Sequence, residues 1–99
     1  MNMIWIHAGE MLGREITEIL DSIGISSYSV WRNVLRKDNA GSGTRWDDGV
    51  FPGKNWAVQF LCRDEMLIPL KEKFRYFLTD DYVLQTGVEI YVQKAEKLL

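Results

Sequence analysis

Few residues in this chain are of the types that attack, ligate or carry protons, and their spacing limits what they could do. His7 is the only histidine and Cys62 the only cysteine, so a structural zinc site would lack the further imidazoles or thiolates it needs. Three copies of His7 meeting on a symmetry axis could share a metal; a histidine satisfied inside an interface is the plainer reading. A Ser–His–Asp or Cys–His set would require His7 to stand beside a loop nucleophile, and nothing in the spacing brings one there. Asp47 and Asp48 could hold Mg²⁺ against phosphate oxygens, or only keep a loop soluble. Asp80 and Asp81 could do acid–base work if they converged, but are expected to cap the end of a helix. No catalytic residue is assigned, and the chain is read as a non-enzyme.

Anion recognition has more to draw on, and all of it lies in one stretch. Residues 36–55 read Arg-Lys-Asp-Asn-Ala-Gly-Ser-Gly-Thr-Arg-Trp-Asp-Asp-Gly-Val-Phe-Pro-Gly-Lys-Asn. Gly41-Ser42-Gly43 offers consecutive amides that could form an anion-binding nest. It lacks the third glycine of a dinucleotide fingerprint and the Lys-Ser/Thr of a P-loop. Arg36, Lys37 and Arg45 could supply charge-assisted bonds to a phosphate or carboxylate, the alternative being solvated loop cations. Pro52-Gly53 reads as a tight turn. Asn55, at the end of the stretch, is expected to pin the loop base by a hydrogen bond rather than to touch a ligand. Trp46 and Phe51 would be a liability in an idle surface loop, so the segment is expected to fold against a ligand or insert into a partner's groove.

These groups need a scaffold, and the hydrophobic pattern supplies a small one. With 46% apolar and 26% charged residues the chain is globular, and its length fits a single domain, 1–99. A net charge of −2 gives no general attraction for nucleic acid or anionic lipid. No stretch approaches the ~20 apolar residues of a membrane helix, and the N-terminus lacks the pattern of a signal peptide. The lone cysteine fits a reducing compartment, so a cytoplasmic location is expected. Residues 2–8 read as a strand. Leu12, Ile16, Ile19, Leu20 and Ile23 recur at helical spacing, and Gly24 is placed to stop that helix. Residues 28–35 and 56–62 read as strands two and three. A second helix begins either with Asp64 as N-cap or with Pro69 in its first turn, the second choice keeping every hydrogen bond. Residues 88–93 alternate as a last strand.

The order β-α-β-β-α-β predicts an α+β, ferredoxin-like fold, with two helices on one face of a four-stranded antiparallel sheet. Alternation then puts Ile4, Ile6, Val30, Val58, Phe60, Val88, Ile90 and Val92 under the helices. Trp5, His7, Trp31, Asn33, Leu35, Gln59, Leu61 and Tyr91 fall on the other face. An aromatic and aliphatic surface of that kind usually marks an interface, so an oligomer is expected. The link between strands two and three far exceeds a hairpin turn. Loops beyond ~12–15 residues are uncommon in compact domains and tend to be functional or disordered.

The topology, the helix ending Ile-Leu-Asp-Ser-Ile-Gly-Ile (19–25), the following Tyr-Ser-Val strand and the segment 41–55 together resemble the PII-like signalling proteins, relatives of the nitrogen regulatory protein PII. The likeness covers nearly the whole chain and places 37–54 where that family has its T-loop. It implies a homotrimer and a small-molecule effector, often an adenine nucleotide, bound in clefts between subunits beside the loop base. It also implies a protein target, a transporter or an enzyme, that reads the loop, with no direct membrane insertion. Arg36, Lys37, Gly41, Gly43, Arg45 and Gly87 are the effector-binding candidates. The sequence departs from the typical pattern in two places. Its tyrosines (28, 76, 82 and 91) all lie outside the loop, so uridylylation there has no acceptor. The stretch Asp80 to Gly87 replaces a glycine-rich phosphate loop with one glycine and two acids, which disfavours the typical ATP site because carboxylates repel phosphate.

The expected mechanism is an order–disorder switch, in which ligand fixes one shape of a loop freed by its glycines. An adaptor trimer without effector control and a small ferredoxin-like enzyme are the alternatives.

Overall fold

The structure, a computed structural model, describes residues 1–39 and 41–99; Ala40, within the expected 37–54 loop, lies outside the described residues. The chain runs β1 (Asn2–Gly9), α1 (Gly13–Ser22), β2 (Ser29–Val34), β3 (Asn55–Cys62), α2 (Leu67–Phe77), α3 (Asp81–Thr86) and β4 (Val88–Lys94). Short 3₁₀ turns, Glu10–Leu12 and Asp64–Met66, lead into α1 and α2. The sheet order is β2-β3-β1-β4, antiparallel at every pairing. The ferredoxin-like architecture expected from the pattern is the one observed.

Burial follows the pleat. Along β1 buried residues alternate with half-buried ones until the strand ends, and Ile4, Ile6, Val58 and Phe60 pack with Ile16 and Leu20 of α1 and Leu70 and Phe74 of α2. Gly24 ends α1 as expected: its φ of 85° lies in the left-handed region, and Ile25 N–H donates to the Leu20 carbonyl at 2.9 Å. Pro69 is the third residue of α2, inside the first turn, where its missing N–H has no intrahelical partner to lose. Asp64 does not cap this helix. Its carboxylate accepts from Asn2 Nδ2 at 2.7 Å and from Lys94 Nζ at 3.1 Å, tying the start of β1 to the end of β4.

Two expectations change. Asp80 and Asp81 do not cap the end of α2 but begin α3, the Asp80 carboxylate accepting from Val83 N–H at 3.2 Å. A helix this short carries too little periodicity to be read, whereas its N-cap chemistry was available. In β2, Arg32 and Asn33 lie between the pairs Trp31↔Ala57 and Val34↔Asn55, opposite the single residue Trp56. Asn33 takes up the bulge with φ 61°. Strict alternation therefore stops at Trp31, and it gives no face for Asn33 or Leu35.

Before that bulge the two faces are as expected. Away from the helices, Trp5 and Trp31 lie 5.4 Å apart between ring centroids, Trp5 and His7 6.2 Å, and His7 and Tyr91 6.5 Å. Trp31, Leu61 and Tyr91 are 47%, 49% and 57% exposed. Val92, expected under the helices, is also largely exposed, because β4 is an outer strand and α2 leaves a groove beside it.

Candidate functional site

The long β2–β3 connection is not a free loop. Its two limbs pair across an isolated bridge, Arg36 and Arg45 exchanging backbone hydrogen bonds at 3.0 and 2.9 Å. Further out, Trp46 N–H donates to the Phe51 carbonyl at 2.9 Å and Asp47 N–H to that of Gly53 at 3.0 Å. The Asp48 carboxylate closes the tip by accepting from the amides of Val50 and Phe51. Gly41 and Gly53, at φ 86° and 83°, make its turns.

At the loop base the connection meets the α3–β4 junction. Arg45 is only 8% exposed. It donates from Nη1 to Asn55 Oδ1 and from Nη2 to the Thr86 carbonyl, both at 2.9 Å. Asn55 in turn donates from Nδ2 to the Gly43 carbonyl at 3.2 Å. The hydrogen bond expected to pin the loop at Asn55 is thus present, and Arg45 is its partner. Burial lowers the Arg45 pKa from its ordinary value, partly opposed by nearby Tyr82 and Glu10. Gly9 makes the close approach possible. A Cβ there would stand 2.8 Å from the Arg45 guanidinium carbon, whereas one on Gly87 would meet Gly43 Cα at an ordinary contact distance of 3.7 Å. Gly87 itself has φ 91°.

A second cluster lies on the helix-free face beside this junction. Arg36 Nη2 donates to Glu89 Oε2 at 2.7 Å, crossing from the end of β2 to β4 at the opposite sheet edge. Tyr91 donates to the same oxygen at 2.5 Å. Those two hydrogen bonds, from Tyr91 first and then Arg36, hold the Glu89 carboxyl below the usual range. His7 pairs with Glu89 in register, and its buried Nδ1 has no hydrogen-bond partner among the described residues. Burial lowers the His7 pKa, Arg36 adds to this and Glu89 opposes it.

The sequence-derived candidates therefore divide. Gly43, Arg45 and Gly87 come together at the loop base. Arg36 stands at its edge, paired with Glu89. Lys37 lies 5.2 Å over the Trp46 ring instead, outside the cluster. Gly41 contributes no free amide, since its N–H donates to the Asp38 carbonyl at 2.9 Å. The Asp38 carboxylate lies against Gly43, a poor neighbour for a phosphate nest. Thr86, Glu89, Tyr91 and His7 were missed as members of the site. Residues 86 to 91 span a turn and a strand with no motif of their own, and only the topology brings them to the loop.

No family model and no curated protein matches the chain. Solved structures do. CPII, a nitrogen regulatory PII-like protein from Thiomonas intermedia K12 bound to ADP, AMP and bicarbonate, superposes with a TM-score of 0.70 at 17% identity, covering 93% of this chain and 86% of that one. Its apo form gives 0.68 at 16%, covering 93% and 85%. A PII-like signalling protein from Thermus thermophilus gives 0.59 at 16%, covering 93% and 83%. The loop whose base is described above thus belongs to a chain with the PII-like form of the ferredoxin-like fold.

Proposed function

We propose that this protein is a non-enzymatic PII-like signalling protein, a homotrimer that binds an adenine nucleotide beside the loop base and signals to a protein target through residues 37–54. One observation carries the reading. Arg45 and Asn55 join the loop to both the start of β3 and the α3–β4 junction, so a ligand that shifts the junction must shift the loop. The fold supports the ligand class, because CPII, with the same fold, was solved with ADP and AMP. Arg36 gives an anion its point of entry. It is about one-quarter exposed and shared with Glu89, so a phosphate or carboxylate at the junction competes with Glu89 for the guanidinium. The aromatic face of the sheet supplies the trimer contact. Trp31, Leu61 and Tyr91 leave too much apolar surface exposed for a solitary subunit.

The test is a thermal-denaturation panel with AMP, ADP, ATP, cyclic AMP and bicarbonate, run on protein of measured mass. A ligand at 100 times its dissociation constant stabilises by ~2.7 kcal/mol, a shift of at least several degrees for a domain of this size. Arg36→Gln should abolish the shift, and Trp31→Glu should give monomers. If no ligand shifts the wild type while its mass is trimeric, the adaptor reading replaces this one. The internally bonded loop, with Trp46 and Phe51 held in shape and exposed, is what favours that second reading.

A further inference from the structure

On the helix side of the sheet, away from the loop, α2 and the outer strand β4 leave an apolar groove of about 670 Å³. Phe74 and Leu78 of α2 and Ile90 of β4 are among the side chains that line it, with Ile68 and Val92 largely exposed. No strand among the described residues flanks β4 on that side. Lys71 and Arg75 are also in its lining, one helical turn apart on one face, and neither belongs to an ion pair among the described residues. They repel each other as they stand. The groove therefore wants an apolar side chain accompanied by a carboxylate.

Residues 95–99, Ala-Glu-Lys-Leu-Leu, carry that combination. Ala95 is held by its N–H to the Met1 carbonyl at 3.1 Å, and beyond it Leu98 and Leu99 are 91% and 97% exposed. In an extended segment alternate residues share a side, so Glu96 and Leu98 present one edge while Lys97 and Leu99 present the other. The segment reaches ~16 Å at ~3.3 Å per residue. It has little means of reversing into its own groove, because no Gly, Pro, Asn or Asp stands between Lys94 and Leu98.

We propose that Leu98 of one copy fills the α2–β4 groove of a second copy, with Glu96 meeting Lys71 or Arg75. The contact is head-to-tail, joining different patches of the two subunits, and such contacts close into rings when the rotation allows. This rests on the oligomeric reading above but uses the helix side of the sheet, meeting the aromatic face at Tyr91.

The experiment co-expresses two distinguishable full-length chains, one carrying Ile68→Cys and the other Leu98→Cys, and applies a short thiol crosslinker. Both positions are exposed and the native Cys62 is buried, so wild type serves as the unreactive control. A linked pair containing one chain of each kind is the expected result. Leu98→Asp, with no crosslinking residues, should raise the concentration at which the assembly dissociates at least tenfold, and Leu99→Asp should raise it much less. A wild type that is monomeric at micromolar concentration overturns both the oligomeric reading and this contact. An assembly that persists, shows no 68–98 link and is indifferent to Leu98→Asp overturns this contact alone. A link that forms within a single chain carrying both Ile68→Cys and Leu98→Cys, with none between the two singly substituted chains, assigns the groove to its own tail and also refutes the exchange.

Discussion

Replacing Arg45 with Met tests whether the loop base is held as the geometry implies. Methionine keeps most of the buried stem but removes the guanidinium, leaving Asn55 Oδ1 and the Thr86 carbonyl without the donors now 2.9 Å away. Each buried acceptor stripped of its partner costs ~1–3 kcal/mol. Against this, the variant no longer holds a cation out of water, which returns part of the loss. The net expectation is a destabilisation of ~2–4 kcal/mol. With a urea slope of ~1–2 kcal/mol/M for a small domain, the midpoint falls by roughly 1–4 M. Equilibrium unfolding followed by tryptophan fluorescence reads this directly. Asn55→Ala should be destabilising on its own account, since it also frees the Gly43 carbonyl. The double variant should then cost less than the two single losses together, by ~0.5–3 kcal/mol, as expected of residues in one network. An Arg45→Met protein within ~0.5 kcal/mol of wild type, or strictly additive losses, would refute the account of a buried, mutually dependent strut.

His7 should make stability fall on mild acidification. Its pKa is depressed in the folded chain by burial and by Arg36, so below the ordinary value of 6.5 the unfolded chain takes up a proton that the folded chain resists. Unfolding midpoints at fixed protein concentration should drop between pH 7.5 and 5.5 for wild type and stay nearly level for His7→Gln; equal slopes would remove His7 as the cause. Gly87→Ala should cost ~1–2 kcal/mol in thermal or urea unfolding through its φ of 91°, not through collision, because among the described residues the added Cβ meets nothing nearer than 3.7 Å. Asp80→Ala should cost ~1 kcal/mol and Asp80→Asn much less, since the cap on Val83 N–H needs an oxygen and not a charge; hydrogen exchange at Val83 reports it locally.

What could be read from the chain alone was whatever repeats. Alternation through Ile4, Ile6, Val58 and Phe60 and the helical spacing of Leu12, Ile16 and Leu20 identify the faces because each side chain votes for the same periodicity. The ends read well where a residue has a backbone role, as at Gly24 and Pro69. Departures arose where one residue breaks a count, as Asn33 does in β2, or where a segment is too short to have a period, as in α3. The loop base was half legible. Arg45 and Asn55 stand out as a cation and an amide at the edges of a glycine-rich stretch, but their third partner is a backbone carbonyl at Thr86, which no side-chain pattern announces. Glu89 and Tyr91 looked like ordinary strand residues until the sheet order carried Arg36 across to them.

The loop's own hydrogen bonds bear on how occupancy could be transmitted. A segment with Trp46 bonded to Phe51, Asp47 to Gly53 and the Asp48 carboxylate closing the tip has contacts of its own to offset the entropic cost of taking a shape. A ligand at the base need not supply that order by itself. What remains adjustable is the base, where the Arg36–Arg45 rungs, the Arg45 fork and the Arg36–Glu89 pair converge on a few polar contacts. An anion that draws Arg36 from Glu89 would pull on one of the two residues joined in that bridge, while Arg45 stays anchored to Asn55 and Thr86. The tip would then swing as a body about its base, presenting Trp46 and Phe51 in a new place without losing their arrangement. A partner that selects between two positions of one shape needs only a difference in fit, and a ligand can bias that choice by no more than its own preference between the two.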